Sequence, residues 1–454
     1  MTRFLPLGGA GEIGASCFYL DIHGTGIIID SGIHPRKIGI EALPLFDLIK
    51  NLPVDAALIS HAHQDHIGSL PYLVQRHPYL RIIGTPQTRA IAELTLHNSV
   101  SILQRQLQED EYLHPYSHEE IDLLIQSMEW RLYDERFAIE GYRHQCDSKI
   151  DVQFFDAGHI LGSAGILIEH DGMRLMYTGD INLADQVLHR GAEMSEKKCD
   201  VLIIECTHGG TDSLFLPDWQ NESRRLAARA NEIIEAGGAI LIPVFSLGKM
   251  QEMLALLWQL MQKGILAEID LYTGGVGTKI NSVYDKNRYV VRSIDKEFEL
   301  GTIPQKDSME LFDDIKLLSR PAIVLAASGM MIEGTTSFEL AKRWLTQRNN
   351  AIFTVGYTDP ETPGYRVANA NTGEKLRLTD FSEEQVVRCS IDRFRFTAHA
   401  RREQLIEIVR RVNPDRVILV HGDEPSIDWM GHMILEKYPE KKVHAARMGE
   451  WVEW

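Results

Sequence analysis

Six consecutive residues, His61-Ala62-His63-Gln64-Asp65-His66, supply three imidazoles and one carboxylate. The apolar run Ala56-Ala57-Leu58-Ile59 stops at Ser60 just before them, so one turn at a strand end can project all four side chains. Neutral imidazole and carboxylate suit a borderline divalent ion such as zinc. The competing explanation is a polar turn with surface histidines, but four ligand-type residues at this spacing after a strand are much harder to obtain by accident than one. Two zinc ions want about four or five ligands each, so more donors are needed. Candidates stand at other strand ends: His159 in Ala157-Gly158-His159-Ile160-Leu161-Gly162-Ser163, and Asp180 after the tight turn Thr178-Gly179, where a carboxylate could bridge two cations. Taken alone, either reads equally well as a loop residue. Asp30 closes the apolar strand Gly26-Ile27-Ile28-Ile29 and is assigned to orient a metal-bound histidine rather than to ligate, because such histidines need a partner on the far ring nitrogen.

The elements that must position these groups follow from hydropathy. Short β-rich runs at 2–7, 16–22, 26–30, 56–60 and 81–84 build a sheet early. Between about 86 and 145 the pattern turns helical, with Ile91, Leu94, Leu103 and Leu107, then Ile121, Leu124 and Ile125, at helical spacing. Strands resume at 150–155, 166–169, 174–177 and 201–205. From about 207 to 370, helices (219–236, 249–262, 336–347) alternate with continuous apolar strands (239–244, 322–326, 351–355). That rhythm belongs to βαβ units around a mostly parallel sheet, hence to a second α/β domain. The last stretch gives a strand at 393–397, a helix at 401–412, a strand at 416–420 and a closing helix. The strand-end residues His399 and His421 there read as part of the first domain, which makes the second an insertion. The domain ranges are 1–207 and 371–454 for the first and 208–370 for the insertion.

A chain of 454 residues with 44% hydrophobic and 24% charged residues can bury more than one core. No apolar run approaches the roughly 20 residues that span a bilayer, and the short stretch 4–7 lacks the length and cleavage pattern of a signal peptide, so no membrane partner and a cytoplasmic location are expected. Cys17, Cys146, Cys199, Cys206 and Cys389 are odd in number and widely spaced, which points to buried reduced thiols rather than disulfides or a zinc finger. A net charge of -17 argues against a surface that is basic all over, although a local basic groove is compatible with it.

The motif series, in this order, resembles that of the metallo-β-lactamase superfamily, and Leu7-Gly8-Gly9-Ala10-Gly11-Glu12-Ile13-Gly14-Ala15-Ser16-Cys17 resembles its nuclease branch. Later segments are similar to the β-CASP group of RNA- and DNA-processing nucleases, whose members include ribonuclease J-like and cleavage-and-polyadenylation-factor-like enzymes. Val201-Leu202-Ile203-Ile204-Glu205-Cys206-Thr207 resembles the first β-CASP motif, Phe396-Thr397-Ala398-His399-Ala400 the second, and Val417-Ile418-Leu419-Val420-His421-Gly422-Asp423 the third. Ser328-Gly329-Met330-Met331 and Ser246-Leu247-Gly248-Lys249-Met250-Gln251-Glu252 resemble a loop and a helix entry of the inserted domain.

The resemblance implies an αββα sandwich carrying an inserted α/β β-CASP domain that covers the metal cleft. It implies two zinc ions: His61, His63 and His159 on one, Asp65, His66 and His421 on the other, and Asp180 between them. It further implies a zinc-dependent phosphodiesterase, in which metal-activated hydroxide attacks phosphorus in line. The catalytic residues would be Asp65, His399 as general acid, and Glu205 accepting the other ring N–H of His399. His421 at the third motif resembles the RNA-processing members, so single-stranded RNA is the expected substrate and partner, with DNA the alternative. Ser328, Gly329 and Met330 offer backbone N–H groups for phosphates, and Lys249 a charge. Arg401 and Arg402 could add to these or be ordinary surface charges. Oligomeric state is open, with a homodimer as one option.

Two segments depart from the family pattern. Arg401 stands where an acidic residue usually follows the second motif, and Gly356-Tyr357-Thr358-Asp359-Pro360-Glu361-Thr362-Pro363-Gly364-Tyr365 only loosely resembles a Gly-Thr-x-Gly-Arg loop. No appended RNA-binding module is visible at either end. The competing functions are a DNA nuclease on the same scaffold, a small-ester metallohydrolase, and a non-enzymatic subunit; the complete ligand set opposes the last.

Overall fold

The computed structural model describes residues 2–106, 116–141, 149–194, 198–313 and 320–454. Leu107 and Cys146 lie outside the described residues; the other four cysteines are buried and free. Contacts divide the chain into two compact units, one of residues 1–185, 189–215 and 398–454, the other of 186–188 and 216–397.

The first unit contains two seven-stranded sheets. One runs Val452–Glu453, Thr2–Gly8, Cys17–Ile22, Thr25–Ile29, Ala56–Leu58, Arg81–Gly84, Glu129–Trp130, and the other Lys442–Ala445, Arg416–Val420, Val201–Glu205, Met173–Tyr177, Ala164–His170, Ile150–Asp156, Arg136–Ile139. Successive side chains alternate faces, so Phe18, Leu20, Ile27, Ile29 and Leu58 of the first sheet meet Phe154, Ile166, Ile168, Tyr177, Ile203 and Ile418 of the second in one apolar layer. Each such side chain contributes about 1.5–3 kcal/mol when fully buried. The opposite face of the second sheet, through Leu167, Met176, Leu202, Ile204 and Leu419, packs on helices Arg402–Val412 and Glu424–Lys437 by way of Leu405, Ile408, Val409, Met430 and Ile434.

Parallel pairing brings the strand ends that carry the candidate ligands to common edges. Thr25–Ile29, Ala56–Leu58 and Arg81–Gly84 are parallel and in register, with Ile29 opposite Leu58 opposite Ile83. Met173–Tyr177, Val201–Glu205 and Arg416–Val420 are parallel too, with Tyr177 opposite Ile203 and Glu205 opposite Val420. Asp30 and Ser60 therefore leave one sheet at the same edge, as do Thr178, Cys206 and His421 the other. Ligands collect at the carboxyl ends of such strands.

Sequence and structure part company after residue 127. The stretch expected to be helical from 86 to 145 contains helices Pro86–Gln106 and His118–Ser127, the second opened by a Ser117–Glu120 capping box, but Glu129–Trp130 and Arg136–Ile139 are edge strands of the two sheets. Two and four residues are too few to show a period; pairing partners make them strands.

The second unit is a six-stranded sheet ordered Lys306–Asp307, Leu271–Thr273, Ile323–Ala326, Ile240–Pro243, Ala351–Thr354, Ser390–Arg393, with every pair parallel. Helix Trp219–Glu235 leads into the sheet, helices Lys249–Gln262, Val276–Asn287 and Thr336–Trp344 lie between its strands, and Leu241, Val324, Ile352, Phe338 and Trp344 fill a core on one face. The strand expected at 393–397 instead occupies Ser390–Arg393 and pairs with Ala351–Thr354, so contacts close this unit at 397 rather than 370. Its residues are mixed polar at a sheet edge, which leaves little hydropathy signal. Among the described residues no helix is long and apolar enough to cross a membrane.

Candidate metal centre

The turn 61–66 is fastened by its backbone before its side chains do anything. Ser16 N donates to the Asp65 carbonyl (2.8 Å), Ser31 N to that of His66 (2.7 Å) and Ile33 N to that of Gln64 (2.9 Å). Gly32 makes this approach feasible, since a Cβ there would sit 1.7 Å from the Asp65 carbonyl oxygen. Asp30 and His421 both leave their strands in the left-handed region, at φ 59 and 48, a costly backbone state for residues with a side chain.

Two groups of ligand-type side chains result. His61, His63, His159 and Asp180 bring one donor atom each within 4.8 Å of one another, and so do Asp65, His66 and His421. In the first, His63 Nδ1 is 3.0 Å from His61 Nε2 and 3.2 Å from His159 Nε2, and Asp180 Oδ2 is 3.6 Å from the Nε2 of both His61 and His159. In the second, Asp65 Oδ2 is 3.4 Å from His421 Nε2 and 3.8 Å from His66 Nε2. Asp180 Oδ1 faces this group, 3.3 Å from His66 Nε2 and 3.4 Å from His421 Nδ1. One carboxylate thus turns an oxygen toward each group. His61, His66, His159, Asp180 and His421 are buried, whereas His63, Asp65 and His399 are half-buried and form the open side.

The far ring nitrogens decide what the near ones can do. Asp30, a carboxylate with no proton to give, accepts from His66 Nδ1 (2.8 Å), and also from Ser60 N (2.7 Å), Ser60 Oγ (2.7 Å) and Tyr177 Oη (2.9 Å). The Ala398 carbonyl accepts from His159 Nδ1 (2.8 Å), and Ser60 Oγ, already donating to Asp30, takes the proton of His61 Nδ1 (3.0 Å). Each Nε2 therefore turns inward, as metal-binding histidines do. His66 Nε2 and Asp180 Oδ1 are buried without a hydrogen-bond partner, so a cation or a proton must lie between them. Ligand atoms at the corners of a tetrahedron around zinc lie roughly 3.3 Å apart, close to the spacings present here. The donor set fits metal ions.

Burial, and then the neighbouring imidazoles His66 and His399 respectively, push His61 and His159 well below the usual imidazole pKa. Burial opposes charge on His66 too, but Asp180, Asp65 and Asp30 outweigh it and raise its pKa well above normal. His421 is raised likewise, against burial, by Asp180 and Asp65. Asp65 and Asp180 are held down by these imidazoles despite burial.

Beside the centre, His399 Nδ1 lies 3.1 Å from both oxygens of buried Glu205, and its Nε2 is 4.0 Å from Asp180 Oδ2. Glu205 Oε1 also accepts from Ile181 N (2.7 Å). Burial disfavours the imidazolium, but Glu205 and Asp180 overcome it and raise the pKa of His399 to about 9. An imidazole with a raised pKa thus faces the same space as the ligand-type side chains.

Ser60, Tyr177 and Thr207 belong to the site and were not singled out by sequence. Thr207 Oγ1 lies 3.1 Å from His421 Nδ1. Ser60 adjoins His61, and Thr207 ends the Glu205 motif; a search for hydroxyls next to ligands would have found both. Tyr177 is reached only through the fold.

The remaining candidates stand in other surroundings. Ser328 heads a turn closed by Met331 N on its carbonyl (3.2 Å) and by Ile332 N on its Oγ (3.1 Å), and Gly364 N binds the Met330 carbonyl (2.8 Å). The turn at Gly329 and the departing loop 356–365 are therefore packed together. Lys249 opens its helix, but its ammonium donates to the Phe396 carbonyl and lies 5.0 Å from the centre of the Trp219 ring; burial lowers its pKa to about 8. Arg401 N takes its cap from Gln404 Oε1 (2.9 Å), and Arg402 pairs with Asp212 (2.8 Å) and Glu403 (2.9 Å), the behaviour of surface charges.

Residues 10–134 match the Metallo-beta-lactamase superfamily, 250–367 the Beta-Casp domain, and 384–446 the Zn-dependent metallo-hydrolase RNA specificity domain. The chain belongs to the β-CASP group of the metallo-β-lactamase superfamily. Among curated β-CASP relatives, cleavage and polyadenylation specificity factor 73 of Drosophila melanogaster is 31% identical over 93% of this chain and 60% of its own length. Endoribonuclease ysh1 of Schizosaccharomyces pombe is 29% identical over 98% of this chain and 57% of its own. The chain therefore spans less than two thirds of these relatives. A crystal structure of a protein of unknown function from Enterococcus faecalis V583 matches 99% of both chains at a TM-score of 0.56 and 13% identity, a likeness of fold alone.

Proposed function

We propose that this β-CASP chain is a zinc-dependent endoribonuclease that holds two zinc ions and hydrolyses phosphodiester linkages within single-stranded RNA. One observation carries the reading: two ligand groups share Asp180, and a histidine with a raised pKa, His399 on Glu205, stands beside them. His61, His63 and His159 would hold one ion, Asp65, His66 and His421 the other. Bound there, zinc supplies Lewis acidity toward phosphoryl oxygens and lowers the pKa of coordinated water toward neutrality.

The chain's own groups do the rest. Asp30, Ser60 and the Ala398 carbonyl keep His66, His61 and His159 in the tautomer that presents Nε2. Glu205 accepts the Nδ1 proton of His399, leaving its Nε2 proton for the departing oxygen of the product strand. Two matches support RNA and internal cutting: relatives that bear the name endoribonuclease, and the RNA specificity domain over 384–446, which includes His399 and His421.

The test is cleavage of matched end-labelled single-stranded RNA and DNA by protein of measured zinc content, with and without chelator. Chelator-sensitive internal cutting of RNA alone is expected. Equal cutting of DNA would move the assignment to a general nuclease, and a ladder receding from one end to an exonuclease. No cutting of either by the zinc-loaded protein would favour a small ester.

A further inference from the structure

The chain returns to His399 through residues 393–397 of the second unit, and that segment is gripped from both the sheet and side chains. Phe394 N donates to the Thr354 carbonyl (2.7 Å) and Phe396 N to that of Val355 (3.2 Å), continuing the sheet edge. Three carbonyls are taken by side chains: Arg393 by the Arg225 guanidinium, Phe396 by the Lys249 ammonium, and Thr397 by Trp219 Nε1 at 3.0 Å. Glu222, buried and paired with Arg225, accepts from Arg395 N (2.6 Å). The Trp219 ring packs edge-on against Phe396, with centroids 4.9 Å apart, and the Lys249 ammonium lies over that same indole. Ordinary loop backbone would be solvated instead. Hydrogen bonds from charged donors to carbonyls are among the stronger kinds, and drawing the half-buried Lys249 out of water here has a cost that some gain must offset.

We propose that Lys249 and Trp219 are positioning residues for His399. They hold the carbonyls two and three positions before it and so set the path along which the backbone delivers the imidazole to Glu205. The inference rests on the general-acid role proposed for His399. It also gives Lys249 a different duty from phosphate binding, because its ammonium already has an acceptor and an aromatic face. In the first unit the same segment continues under restraint, with the Ala398 carbonyl on His159 Nδ1 (2.8 Å) and Ala400 N on the Ile181 carbonyl (2.6 Å). A general acid tolerates little displacement, so loosening one end of this short span has consequences for proton transfer before it has any for the metal ligands.

The experiment uses the full chain and a series of aryl phosphodiesters, from p-nitrophenyl, which leaves without a proton, to phenyl, which needs one. For Lys249→Met and Trp219→Phe we expect activity within about twofold of wild type at the p-nitrophenyl end and a loss of about 10- to 100-fold at the phenyl end, with Lys249→Arg restoring most of it. Metal content should not change. Uniform loss across the series, or none at either end, would overturn the assignment. Trp219→Phe keeps an aromatic ring and removes the N–H, so it decides the matter if Lys249→Met fails to fold. Wild type that hydrolyses no diester would sink the phosphodiesterase reading, and this inference with it, whereas diester hydrolysis without RNA cleavage would sink only the choice of RNA.

Discussion

The two halves of the candidate metal centre use the same ligand-type chemistry but differ in charge, one neutral and the other cationic. His61 and His159 turn their far nitrogens to a hydroxyl and a carbonyl, and burial keeps both neutral. His66 turns its far nitrogen to Asp30 and its near one to Asp180, and retains a positive charge. A neutral acceptor leaves a lone pair ready for a metal; a carboxylate stabilises whatever cation comes, proton or metal ion. His399 on Glu205 is built like His66 on Asp30, but half-buried at the open side. On the proposed function, the same imidazole–carboxylate device would serve as a ligand in one place and as a proton donor in the other.

Breaking the shared element should cost most. Asp180→Ala removes the oxygen facing each half, so bound metal should fall by about half or more and cleavage by at least ~10³; wild-type metal content by elemental analysis would dismiss the bridging role. His399→Ala tests the donor side of the comparison: metal content should hold while cleavage drops by about 10² to 10⁴. The donor must be protonated, so wild-type activity should decline as pH rises through about 9. Glu205→Gln removes the main group raising that value, and the alkaline decline should move down toward the ordinary histidine range, near ~6.5. Because the folded pKa is raised, the pair adds stability below the ordinary histidine value and loses it as pH rises through about 9. Glu205→Gln should therefore lower Tm more in mild acid than in alkali. An unmoved rate profile would separate His399 from Glu205.

The smallest effect sharpens the ligand side. Asp30→Asn keeps an acceptor but removes the charge behind His66, and metal affinity should weaken by about 10- to 100-fold in competition with a calibrated chelator. Proton release on metal binding should shrink with it, since one of the three carboxylates that hold the proton on His66 is gone. Undiminished affinity would mean that the charge at the far nitrogen is irrelevant and only its geometry counts.

Residues 61–66 were legible as candidate ligands because their spacing is local: one strand end and one turn aim all four side chains. The alternation of helices and apolar strands between 219 and 355 was legible for the same reason, since periodicity is a property of neighbours in sequence. Tertiary structure decided the rest. His421 meets Asp65 across 356 positions, a pairing set by parallel register and two left-handed strand exits rather than by any local pattern. The Tyr177 hydroxyl reaches Asp30 from the opposite sheet, and the fate of Lys249 turned on a carbonyl 147 residues away. The edge strands 129–130 and 390–393 owe their state to partners, not propensity. Residue type and short spacing name the chemistry a segment can offer, but which nitrogen faces the metal and which proton stays bound depends on distant groups, whose fields act only once burial has removed the water between them.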